Sequence, residues 1–326
     1  MDQPIPAGAR RPPTRPRRGS HTGGRRRSAG LGLALLGSAP FAVCDAAAQS
    51  PRSSADIIAS APDGDWRTLD ADNTLYLDLP GGRVILELAP WAASRHVGNI
   101  KALVRGGYFD GGAVRRSQDN YVAQWGLRPL AEGETLPSSI ASAIPPEFDA
   151  SADGLSFTPL PDADVYAPQT GFVGGFPTGR DPDSDRVWIA HCYGTVGVAR
   201  TNDPNSGSGR ELYAVTGHAP RHLDRNLSMV GRVVAGMEHL STLPRGTQAL
   251  GRYASPEEWA AIDRARIAAD LPPGERVPLQ VMRTDSPSFR ALILAARTRS
   301  EAFFVYSPER VDVCNVGVPV REPPPS

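Results

Sequence analysis

From Thr74 onward the chain alternates. Leu75, Leu77 and Leu79 are separated by other residues, and after Pro80-Gly81-Gly82 the run Arg83 to Leu88 alternates again. A period of two on either side of a glycine-containing turn predicts a β-hairpin. The period then changes. Between Ala92 and Arg105, the residues Val97, Ile100, Leu103 and Val104 fall on one helical face, and Gly106-Gly107 supplies a left-handed stop. Tyr121 to Trp125 reads as a short strand, whereas residues 127–186 are dominated by Pro, Gly, Asp and Ser and read as mostly loop. Strand patterns return at Val187–Ala190, Gly194–Arg200, Glu211–Thr216 and Met229–Val234, at intervals that suit a barrel or sandwich. Met237, Leu240 and Leu243 share one side of a further helix. Ser255-Pro256-Glu257-Glu258 combines an N-cap, a first-turn proline and a capping-box glutamate, which predicts a helix to about Leu271. A strand at Leu279–Arg283, a helix through Phe289, Leu292, Ile293 and Ala296, and an extended segment from Phe303 to Val320 complete the reading.

With 326 residues and 40% hydrophobic content the chain can bury a sizeable core. Its 35 basic and 35 acidic residues cancel, so no overall field favours nucleic acid or an anionic membrane. The basic excess is confined to the first residues, where Arg25-Arg26-Arg27 precede an apolar run from Leu31 to Val43 and the small-residue site Ala46-Ala47-Ala48. That order predicts a signal peptide over 1–48, a periplasmic location and no stable membrane insertion after cleavage. Cys44 is a poor match to a lipoprotein site, because Phe-Ala-Val precedes it. Residues 49–70, rich in Ser, Ala, Asp and Pro, read as a linker. Cleavage leaves Cys192 and Cys314, either as one disulfide or as two buried thiols. No Cys/His spacing supports a metal site, and Asp181 to Asp185 reads as an acidic solvated turn.

The local motifs share an order with one family. Gly107-Tyr108-Phe109-Asp110-Gly111 resembles the "GYYDG" turn of the cyclophilins, preceded by a helix carrying Asn99. Val114-Arg115-Arg116 stands where that family has Phe-His-Arg, and Tyr121 to Gly126 resembles its "FMIQGG" strand. Gly194 to Arg200 and Asp203-Pro204-Asn205-Ser206 resemble "GTVSMAR" and "DPNS"; His222 to Asn226 and Gly231 to Met237 resemble "HLDR" and "FGRVVEGMD". The resemblance covers roughly residues 74–245. It implies a mainly β fold, a closed eight-stranded antiparallel barrel capped by two helices. On this reading a cyclophilin-like domain spans 71–285 with an insertion at about 127–186, and a C-terminal helical extension, 286–326, packs on the barrel.

The resemblance also implies chemistry. Rotation about an amide faces about 18–20 kcal/mol, and X-Pro bonds exchange in tens to hundreds of seconds. A catalyst needs an apolar slot for proline and a fixed donor to the twisted amide, with no nucleophile, metal or cofactor. Arg116 corresponds to the donor and Gln124 to the residue that holds the peptide backbone. Tyr121, Val122, Tyr213 and Leu223 would wall the slot, His222 stands at a position often aromatic or histidine, and Ala199, Arg200 and Glu211 would lie along the peptide. Departures are Val114 and Arg115 for Phe and His, Tyr121 and Tyr213 for phenylalanines, and Leu227 for a His or Tyr. The implied function is a monomeric peptidyl-prolyl cis-trans isomerase acting on proline-containing polypeptides during folding of exported proteins. The alternative is a catalytically silent cyclophilin-like module that binds a peptide or protein.

Overall fold

The computed structural model describes residues 52–126 and 135–324; the signal peptide expected at 1–48 and Cys44 lie outside the described residues. Nine strand segments join in one antiparallel sheet. Their order is Ala260–Ala261, Ala113–Ser117, Val122–Gly126, Glu211–Val215, Thr195–Val198, Met229–Ala235, Gly82–Leu88, Thr74–Leu79 and Arg264–Ile267. The first and last segments of that order are neighbours in sequence. Ile262 donates to the Gly112 carbonyl on one edge, and Asp263 donates to the Asp78 carbonyl on the other. One interrupted strand thus bridges both edges, and counted as one it gives the eight-stranded barrel, with its seam broken at Ile262–Asp263.

Residues 255–271 therefore do not form the helix their capping signals predict. Ser255 makes no capping bond, a single 3-10 turn covers Pro256–Glu258, and the chain then extends. The barrel's open edges decide the outcome. They offer ladder partners, and Ile262, Ala265 and Ile267 are buried at 1% exposure or less.

The predicted hairpin forms in register from Thr74↔Glu87 to Leu79↔Gly82. Leu75, Leu77, Val84 and Leu86 enter the barrel core, while Tyr76 and Ile85 face outward against Ala268 and Leu279. A helix at Ser94–Arg105 buries Val97, Ile100, Leu103 and Val104, as its spacing predicts. Its N-cap, Ala93, has no side chain with which to cap. Glu147 supplies the missing acceptors, taking the Arg95 and His96 amides at 3.1 and 3.0 Å and His96 Nδ1 at 2.6 Å. The second capping helix is one turn, Glu238–Ser241, with Leu240 in the core.

The span expected as loop contains a second antiparallel sheet, ordered Ala150–Ser151, Arg186–Ile189, Phe176–Asp181, Gln169–Val173 and Phe157–Pro159. Val187–Ala190 is thus part of this sheet rather than of the barrel. Its glycines, which suggest loop, have positional roles. Gly174 and Gly175 turn a hairpin at φ +56° and +98°, and a Cβ at Gly171 would lie 2.2 Å from the Thr158 carbonyl oxygen. Asp181 to Asp185 turns another hairpin, with Asp181 accepting from the Asp183 amide and the Ser184 hydroxyl.

Of the linker expected at 49–70, the described residues 52–70 are likewise more than a linker. A helix at Ser54–Ala59, held by a Ser53/Asp56 capping box, packs against the C-terminal helix Pro287–Thr298. Trp66–Thr68 pairs with Gln280–Met282, which pairs with Val320–Arg321. Ile57, Trp66, Phe172, Phe289, Leu292 and Val313 meet in a second core, with the Phe172 and Phe289 rings edge to face at 4.9 Å. The extension thus rests largely on the inserted sheet and the N-terminal segment. Cys192 and Cys314 are joined by a disulfide across this core. Among the described residues no helix is long and apolar enough to cross a membrane.

Candidate active site

Four barrel strands carry one continuous row. Arg116 pairs with Gln124, Gln124 with Tyr213, and Tyr213 with Gly197. Directly opposed residues of antiparallel strands share a face. The eight-residue spacing from Arg116 to Gln124 is therefore the register of a hairpin. Ala123, Trp125, Leu212 and Ala214 enter the barrel core, and the alternate positions Val122, Gln124, Glu211 and Tyr213 face outward. They line a groove of ≈ 570 Å³, within the size range of small-ligand and peptide sites. Every site residue expected from the sequence lines this groove except His222. His222 is exposed on the turn Arg221–Leu223, and Leu223 and Leu227 form that wall instead.

Arg116 is held from three sides. Its Nη1 donates to Gln124 Oε1 at 2.7 Å, its Nη2 to Gln118 Oε1, and its Nε to the Leu250 carbonyl at 2.6 Å. A guanidinium has five N–H donors, so with respect to the described residues one hydrogen on each terminal nitrogen remains for a ligand. The Tyr121 ring lies 5.7 Å from the guanidinium carbon. Burial, aided by the neighbouring Arg252 charge, holds the pKa of Arg116 below the usual guanidinium range, with Tyr121 and Glu211 opposing. Arg115 is the extra residue of a β-bulge between Val114 and Arg116, which breaks the alternation so that Val114 enters the core and Arg116 the groove, and its guanidinium lies 4.2 Å over the Trp259 ring. The second cation beside Arg116 is thus Arg252.

The two tyrosine-for-phenylalanine departures have different settings. The Tyr213 hydroxyl is buried 2.9 Å from His191 Nε2, and His191 Nδ1 lies 2.9 Å from Asp224 Oδ1. A carboxylate only accepts, so Nδ1 carries the proton, and in the neutral ring Nε2 accepts from Tyr213. Burial raises the Tyr213 pKa far above the usual phenol value, so the hydroxyl stays neutral. Burial opposes the charge on Asp224, but bonds from His191 and Arg221 outweigh it and hold its pKa below the usual carboxylate value. Room for the hydroxyl comes from across the ladder. A Cβ at Gly197 would lie 2.3 Å from the Tyr213 oxygen, and Gly197 stands where the resembling motif has serine. Tyr121, by contrast, is partly open beside Arg116.

Two parts of the wall, the loops bearing Ser142 and Ser208 and the segment with Leu250 and Arg252, are not among the site residues expected from the sequence. Asn99, on the first helix, donates to the Ala141 and Ser208 carbonyls and accepts from the Ala141 amide, which fixes the loops bearing Ser142 and Ser208. The segment after the second helix contributes Leu250 and Arg252. Leu250 sits at φ +62°, a conformation that non-glycine residues seldom hold without surrounding constraint. That constraint comes from bonds of Gly246 to Ser117 and of Tyr253 to Arg115.

A family model, "Cyclophilin type peptidyl-prolyl cis-trans isomerase/CLD", matches residues 74–265. The chain belongs to the cyclophilin family. The cyclophilin match begins with the hairpin at Thr74 and ends within the interrupted strand, two residues short of Ile267. A probable peptidyl-prolyl cis-trans isomerase of Brucella suis biovar 1 (strain 1330) is 30% identical over 202 residues, 62% of this chain and 85% of the relative. Its counterpart in Brucella abortus (strain 2308) is 29% identical over the same share. The crystal structure of cyclophilin AquaCyp293 from Hirschia baltica shares 29% identity at a TM-score of 0.65, covering 83% of this chain and 97% of that one. That coverage exceeds the barrel, so the likeness to this cyclophilin extends into the added regions.

Proposed function

We propose that this cyclophilin accelerates cis-trans isomerisation of X-Pro bonds in exported polypeptides, with Arg116 stabilising the twisted amide. The observation that carries the reading is one groove in which a fixed guanidinium with two free hydrogens faces an apolar floor of Val122, Tyr213 and Leu223. Proline seats on the floor. As the C–N bond rotates, resonance is lost and the nitrogen becomes more basic, so a preorganised donor binds the transition state more tightly than either planar isomer. Gln124 Oε1 is occupied by Arg116, which leaves its NH₂ to donate to a backbone carbonyl of the peptide. The Cys192–Cys314 disulfide supports an oxidising, exported location.

The test is a protease-coupled isomerisation assay on the chain from Gln49, beside Arg116→Ala and Arg116→Lys. Wild-type acceleration should fall on the order of 10²-fold in the alanine variant, the loss typical of one transition-state donor. Lysine should restore little of it, because it lacks the planar fork. No acceleration by folded wild-type protein would instead make the groove a binding site for proline-containing segments. The exported location is tested by fractionation and N-terminal sequencing of the mature chain, which should begin at Gln49.

A further inference from the structure

The charge of the groove differs from that of the chain. The whole sequence is balanced at 35 basic against 35 acidic residues. The groove is lined by four guanidiniums, Arg116, Arg200, Arg210 and Arg252, and by one carboxylate, Glu211. Among the described residues, none of the four is in an ion pair with a carboxylate, whereas arginines elsewhere, such as Arg221, Arg232 and Arg266, are paired at 3.0 Å or less. Neutral groups hold the groove arginines in place. Arg200 donates to the carbonyls of Asn226 and Thr201 and lies 5.6 Å over Phe148. Arg210 donates to the Tyr108 hydroxyl at 3.3 Å and lies 5.4 Å over its ring. Arg252 is strand-bridged to Arg116, so two like charges share one rim.

A carbonyl donor site needs one guanidinium. Three more around the same groove, with no carboxylate ion-paired to them among the described residues, make a concave positive surface whose field is focused by the low-dielectric walls. We infer that the groove selects proline-containing segments with Asp or Glu flanking the proline, their carboxylates seated among Arg200, Arg210 and Arg252. This deepens the isomerase reading and rests on it for turnover, though not for binding. Glu211, the single opposing charge, sets the limit of the preference and repels a carboxylate brought close to it.

Three amide-capped peptides, Ac-Xaa-Ala-Pro-Ala-Xaa-NH₂ with Xaa as Glu, Gln or Lys, test the inference. Exchange NMR measures turnover of each and chemical-shift titration measures affinity. At low salt, kcat/KM and affinity should rank Glu above Gln above Lys, with roughly tenfold between the extremes, as expected for a few partly screened charges. The ratio should collapse at high salt and in Arg210→Gln/Arg252→Gln, and should widen in Glu211→Gln. Equal values for the Glu and Lys peptides, an advantage that survives loss of both arginines, or no detectable binding of the Glu peptide would overturn it. The wild-type charge and salt series decides the matter even where a variant does not fold. Binding in the ranked order without catalysed exchange would sink the isomerase reading and leave the selectivity standing.

Discussion

At residue scale, the row Arg116–Gln124–Tyr213–Gly197 concentrates most of the site. Two departures from the family pattern in this row compensate each other, since Gly197 opens the space that the Tyr213 hydroxyl fills on its way to His191. Gly197→Ser should therefore destabilise by roughly 1–3 kcal/mol through overpacking. Tyr213→Phe should cost about 1–2 kcal/mol by leaving a buried acceptor on His191 unpaired. In the double variant the ring, no longer tied to His191, can tilt away from the serine, so the combined cost should be smaller than the sum. A double-mutant cycle in denaturant measures this, and strict additivity would mean that the two positions do not compensate. Both substitutions are visible in the sequence, but their relation needs the strand register. The place of His191 behind the slot is hidden in the sequence, because its partner, Asp224, lies 33 residues away.

At the scale of elements, local pattern succeeded where a segment's own residues determine its state and failed where a distant partner does. The hairpin and first helix carry their periods internally. The segment 255–271 has good helix-start residues, yet two barrel edges claim it as strand. The inserted sheet was illegible because its glycines and prolines, which signal loop, serve tight hairpins and close strand contact. The first helix shows the same dependence at its N-terminus, where the cap arrives from Glu147 in the insertion. Burial opposes the charge on Glu147, but the His96 side chain and the His96 and Arg95 amides lower its pKa from 4.5 to about 2. A carboxylate with a depressed pKa stabilises fully above its ordinary value and loses that contribution as pH falls toward the folded one. Between pH 6 and pH 2, wild-type unfolding free energy should drop by roughly 1–2 kcal/mol more than that of Glu147→Gln, after allowance for solvent screening. Parallel pH profiles of the two proteins would discount the cap.

At the scale of the whole molecule, the motif order made the barrel and nearly all of its groove legible, and left the surroundings opaque. The N-terminal segment, the insertion and the extension each look like loop or tail alone, because each brings only part of a shared core. The disulfide closes this core over a separation of 122 residues. Replacing both cysteines with alanine should lower stability by roughly 2–5 kcal/mol, because cross-linking a long loop restricts the unfolded chain. Thermal melts with and without reductant would show it, and coincident melts would assign the bond no stabilising role. The pairing of Trp66–Thr68 with Gln280–Met282 also bears on time. During synthesis the first strand emerges more than two hundred residues before its partner, and Cys192 likewise precedes Cys314. Contacts so distant in sequence form slowly and late. Until the helix Pro287–Thr298 is made, Trp66 and Phe172 lack much of the core against which they pack, so the growing chain carries incompletely covered apolar side chains through most of its synthesis. What lets Trp66 come to rest is made more than two hundred residues after it.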